Sequence, residues 1–163
     1  EKFLEGEAVV DLDPEVGEAS FVKDRLSEDD EAVRALVEAI RARGQDTPIL
    51  VRPHGKIDGR YQVVFGHRRL RAARELGRNV RAVVKAIDDR MHVIAQGQEN
   101  SARADLTFIE RAFFARRLEE LGYDREVIST ALAANAASVS KMLSVMERLP
   151  QAVVQAIGPA PGV

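Results

Sequence analysis

The 163-residue sequence contains no cysteine, no tryptophan, and only six Phe and two Tyr. Without cysteine, disulfides and Cys-ligated zinc are excluded, and a reducing cytoplasm is the expected compartment. No apolar run approaches the roughly 20 residues that a membrane-spanning helix needs, and no cleavable signal sequence is recognisable. The 45% hydrophobic content is mainly aliphatic and suffices for one ordinary domain or two small ones. Because the sequence begins at Glu1 without a Met, we expect a piece of a longer protein.

The net charge of −2 hides an uneven distribution. Residues 1–46 carry six Lys/Arg against fourteen Asp/Glu, whereas the rest of the chain carries eighteen against twelve. Between Arg52 and Lys85, ten basic residues face only Asp58 and Glu75. Such a stretch is typical of a local polyanion-binding surface, although a solvated helix face produces the same pattern.

Hydrophobic spacing predicts alternating strands and helices over the first hundred residues and helices alone thereafter. The fold class is therefore α+β: a small α/β domain over residues 1–102 followed by an all-helical domain over 103–163. Strands are expected at 9–12, 48–52, 61–65 and 80–87, and helices at 28–43, 67–76, 90–97, 108–121, 124–134 and 138–149. Ser27 and Gly44 are the expected caps of the first helix.

A strand that runs into a single glycine and then into a helix is the sharpest local feature, at Tyr61-Gln-Val-Val-Phe-Gly66-His-Arg-Arg. A helix N-terminus has unpaired amides and partial positive charge, and glycine allows a ligand to approach the backbone closely. Arg68 and Arg69 add multi-donor groups that suit phosphate oxygens. The pattern predicts a phosphate cradle that is not a Walker A loop. A surface arginine pair is the alternative.

Two further segments carry polar residues in informative patterns. Adjacent Glu99 and Asn100 offer oxygen ligands of the kind that Mg²⁺ uses beside substrate phosphates. The alternative is an interdomain linker with helix caps at Asn100 and Asp105. The helices at 124–134 and 138–149 have the lengths and spacing of a helix-turn-helix, although ordinary bundles also contain such pairs. Its core would be Val127, Ile128, Leu132, Val139, Leu143 and Met146.

Together these segments resemble the ParB family of partition proteins, over about residues 9–150. The resemblance is carried by Pro48-Ile-Leu-Val-Arg-Pro, Gly66-His-Arg-Arg-Leu-Arg-Ala and Glu99-Asn-Ser-Ala-Arg-Ala-Asp-Leu. Ser20-Phe-Val-Lys-Asp-Arg25, Phe65-Gly-His-Arg-Arg and Gln96-Gly-Gln-Glu-Asn-Ser-Ala-Arg look closest to the RepB branch, the partition proteins of repABC plasmids. The resemblance implies a ParB/sulfiredoxin-like N-terminal α/β domain followed by a helix-turn-helix domain.

The resemblance also implies a plasmid-partition function, in which CTP and Mg²⁺ bind the N-terminal domain and the helix-turn-helix reads a palindromic, centromere-like double-stranded DNA site. CTP binding lets two N-terminal domains close as a sliding clamp, and hydrolysis resets it. The family dimerises through a separate C-terminal domain and stimulates a ParA-type ATPase (RepA) through an N-terminal segment. Both ends are expected to lie outside this chain, and the protein is expected to be cytoplasmic and nucleoid-associated.

The resemblance implies the nucleotide-binding residues, and the outward face of the predicted second helix of the helix-turn-helix supplies the DNA-binding ones. The expected nucleotide-binding residues are Arg25, Gly66, His67, Arg68, Arg69, Glu99, Asn100 and Arg103, with Glu99 and Asn100 also serving the metal. The expected DNA-binding residues are Asn135, Ser138, Ser140, Lys141 and Ser144. Catalytic residues are not assigned.

The sequence departs from the family pattern at three places. His67 replaces the usual Glu, and Lys23 replaces a Gln linked to hydrolysis, so binding of CTP is expected more firmly than its turnover. The turn Ala133-Ala-Asn-Ala-Ala137 is poorer in polar residues than is usual.

Two other functions stay open. The first is a DNA-binding adaptor without nucleotide function, and the second is a metal-dependent nuclease on the same scaffold. Sulfiredoxin chemistry is excluded because it needs a cysteine.

Overall fold

The computed structural model describes Leu4 and residues 7–23, 30–103 and 106–158. Their contacts divide the chain into two compact units. Among the described residues, the first unit contains those up to Phe21 together with 30–88, and the second contains Val22, Lys23 and 89–158.

The first unit is built on a five-stranded mixed sheet with the strand order β1-β5-β3-β4-β2. β3 is central; it pairs antiparallel with β4 and parallel with β5. β1 pairs antiparallel with β5 at one edge, and β2 pairs parallel with β4 at the other. The strands are β1 (Val9–Leu12), β2 (Gly17–Glu18), β3 (Ile49–Pro53), β4 (Tyr61–Phe65) and β5 (Val80–Val84), with a 3₁₀ turn over Pro14–Val16.

Two helices complete this unit, α1 (Asp30–Arg43) and α2 (His67–Leu76). α2 buries Leu70 and Ala73 against the β-branched side chains of the sheet, whereas Ala72 lies in the cluster that α1 forms with it. On α1 this cluster contains Val33, Val37 and Ile40, which are buried, and Leu36, which is partly buried, all at helical spacing. Gly44 has a φ of 82° at the end of α1, as a C-cap glycine should. Ser27, the predicted N-cap, lies outside the described residues.

In its described residues the second unit is built from helices, and side-chain caps precede those that start at Phe108, Arg125 and Ala136. Thr107 forms a capping box with Glu110, the Asp124 carboxylate accepts from the Val127 amide at 2.9 Å, and Asn135 caps the helix after it. The helices are α3 (Asp89–Ser101), α4 (Phe108–Glu120), α5 (Arg125–Leu132), α6 (Ala136–Arg148) and α7 (Gln151–Ile157). All six predicted core residues of α5 and α6 are buried: Val127, Ile128, Leu132, Val139, Leu143 and Met146. Across the described ranges, no helix combines the length and apolar character needed to cross a membrane.

α3 is longer than predicted, and its main packing partner is α5. The predicted helix stopped at Gly97 because glycine is a frequent helix terminator. Here Gly97 lies inside α3, where a Cβ would come within 2.6 Å of the Ala131 carbonyl oxygen on α5. Glycine therefore allows two helices to cross closely instead of ending one of them. By its contacts α3 belongs to the helical unit, whose longer segment starts at Asp89.

α7 was not predicted. Pro150 follows the end of α6, and it also stands at the N-cap of this further helix, whose Val154 is buried. A proline fits the start of a helix because it has no amide hydrogen to satisfy there.

Candidate nucleotide site and candidate DNA-binding helices

Gly66 forms the corner between β4 and α2. Its backbone is left-handed, with φ 98° and ψ 24°, and its carbonyl accepts from the amides of Arg69 at 3.0 Å and Leu70 at 3.1 Å. A Cβ at this position would lie 2.5 Å from Cγ2 and 2.8 Å from Cβ of Ile49 on β3. Both the dihedral angle and the close approach therefore require glycine. The sequence pattern that predicted a glycine corner here is confirmed in its geometry.

The two arginines of this corner are not equivalent. Arg69 Nη1 donates to the Pro48 carbonyl oxygen at 3.0 Å, so part of its guanidinium supports the backbone before β3. Arg68 is half-buried and, among the residues that the structure describes, takes part in no hydrogen bond or ion pair. The first turn of α2 contains no acidic residue. A cation without a partner beside a helix N-terminus makes a strongly electropositive corner suited to an anion.

His67 is turned toward the chain that follows β2. Its Nε2 accepts a hydrogen bond from the Ser20 amide at 3.0 Å. The next residue, Phe21, stacks under the Arg52 guanidinium at 5.4 Å from the ring centroid, a cation–π contact with β3. Lys23, two residues further on, is exposed, and Arg25 lies outside the described residues.

Glu99, Asn100 and Arg103 lie together at the C-terminal end of α3. Arg103 Nη2 donates to both carboxylate oxygens of Glu99, at 3.0 and 2.9 Å, and both side chains are largely shielded. Asn100 is buried, and its carbonyl accepts from the Arg103 amide at 3.0 Å. Glu99 is therefore the predicted metal ligand nearer the surface, but its charge is neutralised by Arg103. No cluster of three or more His, Cys, Asp or Glu suited to a metal occurs within the described ranges.

α5 and α6 are joined by a tight turn in which Ala133 has a left-handed backbone, φ 49°. Asn135 Oδ1 accepts from the Ser138 amide at 2.8 Å, so these two predicted DNA-contacting residues form the N-cap of α6. The cap also explains why α6 begins at Ala136, before the predicted start at Ser138. The other three, Ser140, Lys141 and Ser144, are exposed on the outer face of α6.

Two arginines of α4 that the sequence did not single out support the ends of these helices. Arg111 Nη2 donates to the Leu132 carbonyl oxygen at 2.8 Å, and Arg116 Nη1 donates to that of Met146 at 2.9 Å. Those carbonyls lie in the last turns of α5 and α6, where cations are favourable. The sequence alone does not distinguish these arginines from solvent-exposed ones. Only the packing of α4 against α5 and α6 brings their guanidinium groups to the carbonyl oxygens of Leu132 and Met146.

Comparison with known families places both halves of the chain. Residues 1–101 match the ParB N-terminal domain, and residues 102–163 match the RepB plasmid partitioning protein family. A replication protein B of Sinorhizobium fredii is 65% identical over 163 residues, which is 100% of this chain and 50% of that protein. One of Rhizobium rhizogenes is 51% identical over 162 residues, covering 99% of this chain and 51% of that protein. The chain thus spans about half the length of these curated relatives.

Solved structures point the same way. The truncated chromosome-partitioning protein ParB of Caulobacter crescentus, complexed with CTP-γ-S, superimposes with a TM-score of 0.56 at 30% identity, over 92% of this chain and 83% of that one. The same protein complexed to the centromeric parS site gives a TM-score of 0.60 at 26% identity, over 93% and 84%. These matches cover both units. The chain belongs to the ParB family of partition proteins and has RepB proteins among its relatives.

Proposed function

We propose that this chain is the nucleotide- and DNA-binding part of a plasmid partition protein, with CTP and Mg²⁺ bound at the Gly66 corner and DNA bound by α5 and α6. The observation that supports nucleotide binding most directly is Arg68, a half-buried cation at the start of α2 with no partner among the described residues. Anion binding would satisfy both its charge and the helix N-terminus. A relative from Caulobacter crescentus was solved with CTP-γ-S, which favours a cytidine nucleotide.

Titration calorimetry with CTP, ATP and GTP, with and without Mg²⁺, tests this binding. We expect CTP with Mg²⁺ to bind, and Arg68→Ala to weaken it by roughly ten- to a hundredfold, the value of a hydrogen bond to a charged group. Arg78→Ala is the matched control, because it removes the same charge just beyond the other end of α2. Equal losses in the two variants would mean that only overall charge matters, and an absence of binding by all three nucleotides would remove the proposal.

For DNA, we propose that α5, the turn at 133–135 and α6 act as a helix-turn-helix on a palindromic, centromere-like site. Ser140, Lys141 and Ser144 lie exposed on the second helix, where such motifs contact the major groove. Gel shifts against the plasmid's own palindrome should show affinity that falls steeply with salt, with each neutralised phosphate contributing about −0.9 to the log–log slope. Lys141→Ala should reduce that slope by about one phosphate, whereas Lys56→Ala, in the β3–β4 hairpin, should leave it unchanged.

The clamp, its turnover and its partners extend the same proposal. Two chains would close on each other when CTP binds, which nucleotide-dependent crosslinking of the first units, with and without the palindrome, tests directly. Lys23 can hold phosphate but orients water differently from the usual glutamine, so hydrolysis should be slow. A ParA-type ATPase (RepA) is the proposed partner of the intact protein.

A DNA-binding adaptor without nucleotide function is the second candidate. The observation that favours it is the ion pair between Glu99 and Arg103, which engages two predicted nucleotide-site residues with each other. In that case Arg68 would contact the DNA backbone. Arg68→Ala separates the two: loss of CTP binding with intact DNA binding supports the clamp, and the reverse supports the adaptor.

A further inference from the structure

His67 belongs to a stripe of α2 that faces the segment around β2. Leu70 and Arg74 follow it at helical positions i+3 and i+7, which share one face. Arg74 donates to the carbonyl oxygens of Pro14 at 3.2 Å and Gly17 at 2.5 Å. The Leu70 side chain lies so close to Gly17 that a Cβ there would be 3.1 Å from its Cδ2. α2 therefore holds this segment along two helical turns, and His67 is the last contact, on Ser20.

The bond to Ser20 defines the chemical state of the ring. A backbone N–H can only donate, so Nε2 at 3.0 Å must present its lone pair. In a neutral imidazole the proton then lies on Nδ1. The side chain thus contributes an acceptor and no charge to this contact.

We infer that His67 is a positioning residue rather than a phosphate ligand: through the Ser20 amide it fixes the end of the segment that follows β2, just before Lys23 in the sequence. Arg68, one position further along α2, is rotated by about 100° from this stripe, so its side chain can contact the anion. The inference rests on the proposed nucleotide site, whose loop residues follow Ser20 directly in the sequence.

Two substitutions test whether the His67 side chain acts as a hydrogen-bond acceptor or only fills space. His67→Leu removes the acceptor, and we expect CTP with Mg²⁺ to bind roughly three- to tenfold more weakly, with faster hydrogen exchange of the Ser20 amide. His67→Gln places an amide oxygen at a similar reach without charge and should recover most of both losses. Urea unfolding of each variant identifies any change that comes from global stability.

Nitrogen-15 spectra of the wild-type ring provide a readout that does not depend on nucleotide. Protonation on Nδ1 supports the inference, and protonation on Nε2 overturns it. Equal weakening in the Leu and Gln variants would also overturn it, because the ring itself would then contact the nucleotide. If the wild-type chain bound no CTP, the proposed function would fail together with the nucleotide role of His67, whereas an Nδ1–H signal would still support the bond to Ser20.

Discussion

Substitution of Gly66 by alanine tests the geometry of the corner between β4 and α2. Alanine would have to adopt the left-handed backbone at φ 98°, which costs about 1–2 kcal/mol for a residue with a Cβ. That Cβ would also lie 2.5 Å from Ile49 Cγ2 and 3.2 Å from Ile49 Cα. Ile49 is 1% exposed in the centre of the sheet and has little room to move. Overpacking of this kind costs about 1–3 kcal/mol, so the total expected loss is about 2–5 kcal/mol.

Gly77→Ala is the matched control, at the other end of the same helix. Its φ is 60°, but a Cβ there would have no neighbour within 4 Å, so only the backbone cost of about 1–2 kcal/mol remains. Urea unfolding followed by circular dichroism measures both variants in the same unit. CTP titration of the folded fraction should show weaker binding for Gly66→Ala alone. Equal destabilisation of the two variants would contradict the expected steric contact between a Cβ at position 66 and Ile49 of β3.

Substitutions at three further positions test the helical unit by urea unfolding. Gly97→Ala should destabilise by about 1–3 kcal/mol although alanine is the better helix former, because its Cβ would lie 2.6 Å from the backbone oxygen of Ala131; a gain in stability would contradict the close crossing. Asn135→Ala should cost about 1 kcal/mol by removing a helix cap, and Asn135→Asp, which can also cap, should cost less. Arg116→Met should cost about 1 kcal/mol through loss of the bond to the Met146 carbonyl, an effect that Arg116→Lys should partly restore.

The parts of the fold that the sequence predicted well are those with local chemical signals. α2 was expected over residues 67–76 and is found there, because a glycine with positive φ stands at each end of it. β4 was expected over 61–65 for a similar reason, since Gly59 marks the turn before it and Gly66 the corner after it. Such signals depend only on the backbone of the residues that carry them.

The contacts that position the site depend instead on residues far apart in the sequence. Nothing near His67 indicates that its ring accepts a hydrogen bond from the Ser20 amide. The Glu99–Arg103 pair differs, because its i,i+4 spacing on a helix is a local signal for an ion pair. At Gly97 the decisive neighbour is again distant: it is α5, about thirty residues away in the sequence. In a sequence, a glycine at the end of a helix looks the same as a glycine at which a second helix packs closely.

The two units are not consecutive stretches of chain, and this affects how the protein can be dissected. The backbone passes from the sheet unit to the helical one between Phe21 and Val22, returns before Asp30, and leaves again after Asp88. Val22 is 2% exposed, and its backbone carbonyl oxygen accepts a hydrogen bond from the side-chain amide (Nε2) of the buried Gln96 on α3, at 2.9 Å. A fragment that ends at residue 88 would contain Val22 without α3, which Val22 contacts through Gln96. A fragment that ends at residue 101, where the family match ends, would contain α3 without its packing partner α5. Either fragment expressed alone would expose apolar surface that is buried in the whole chain. We therefore expect truncated forms of this chain to aggregate more readily than the whole chain.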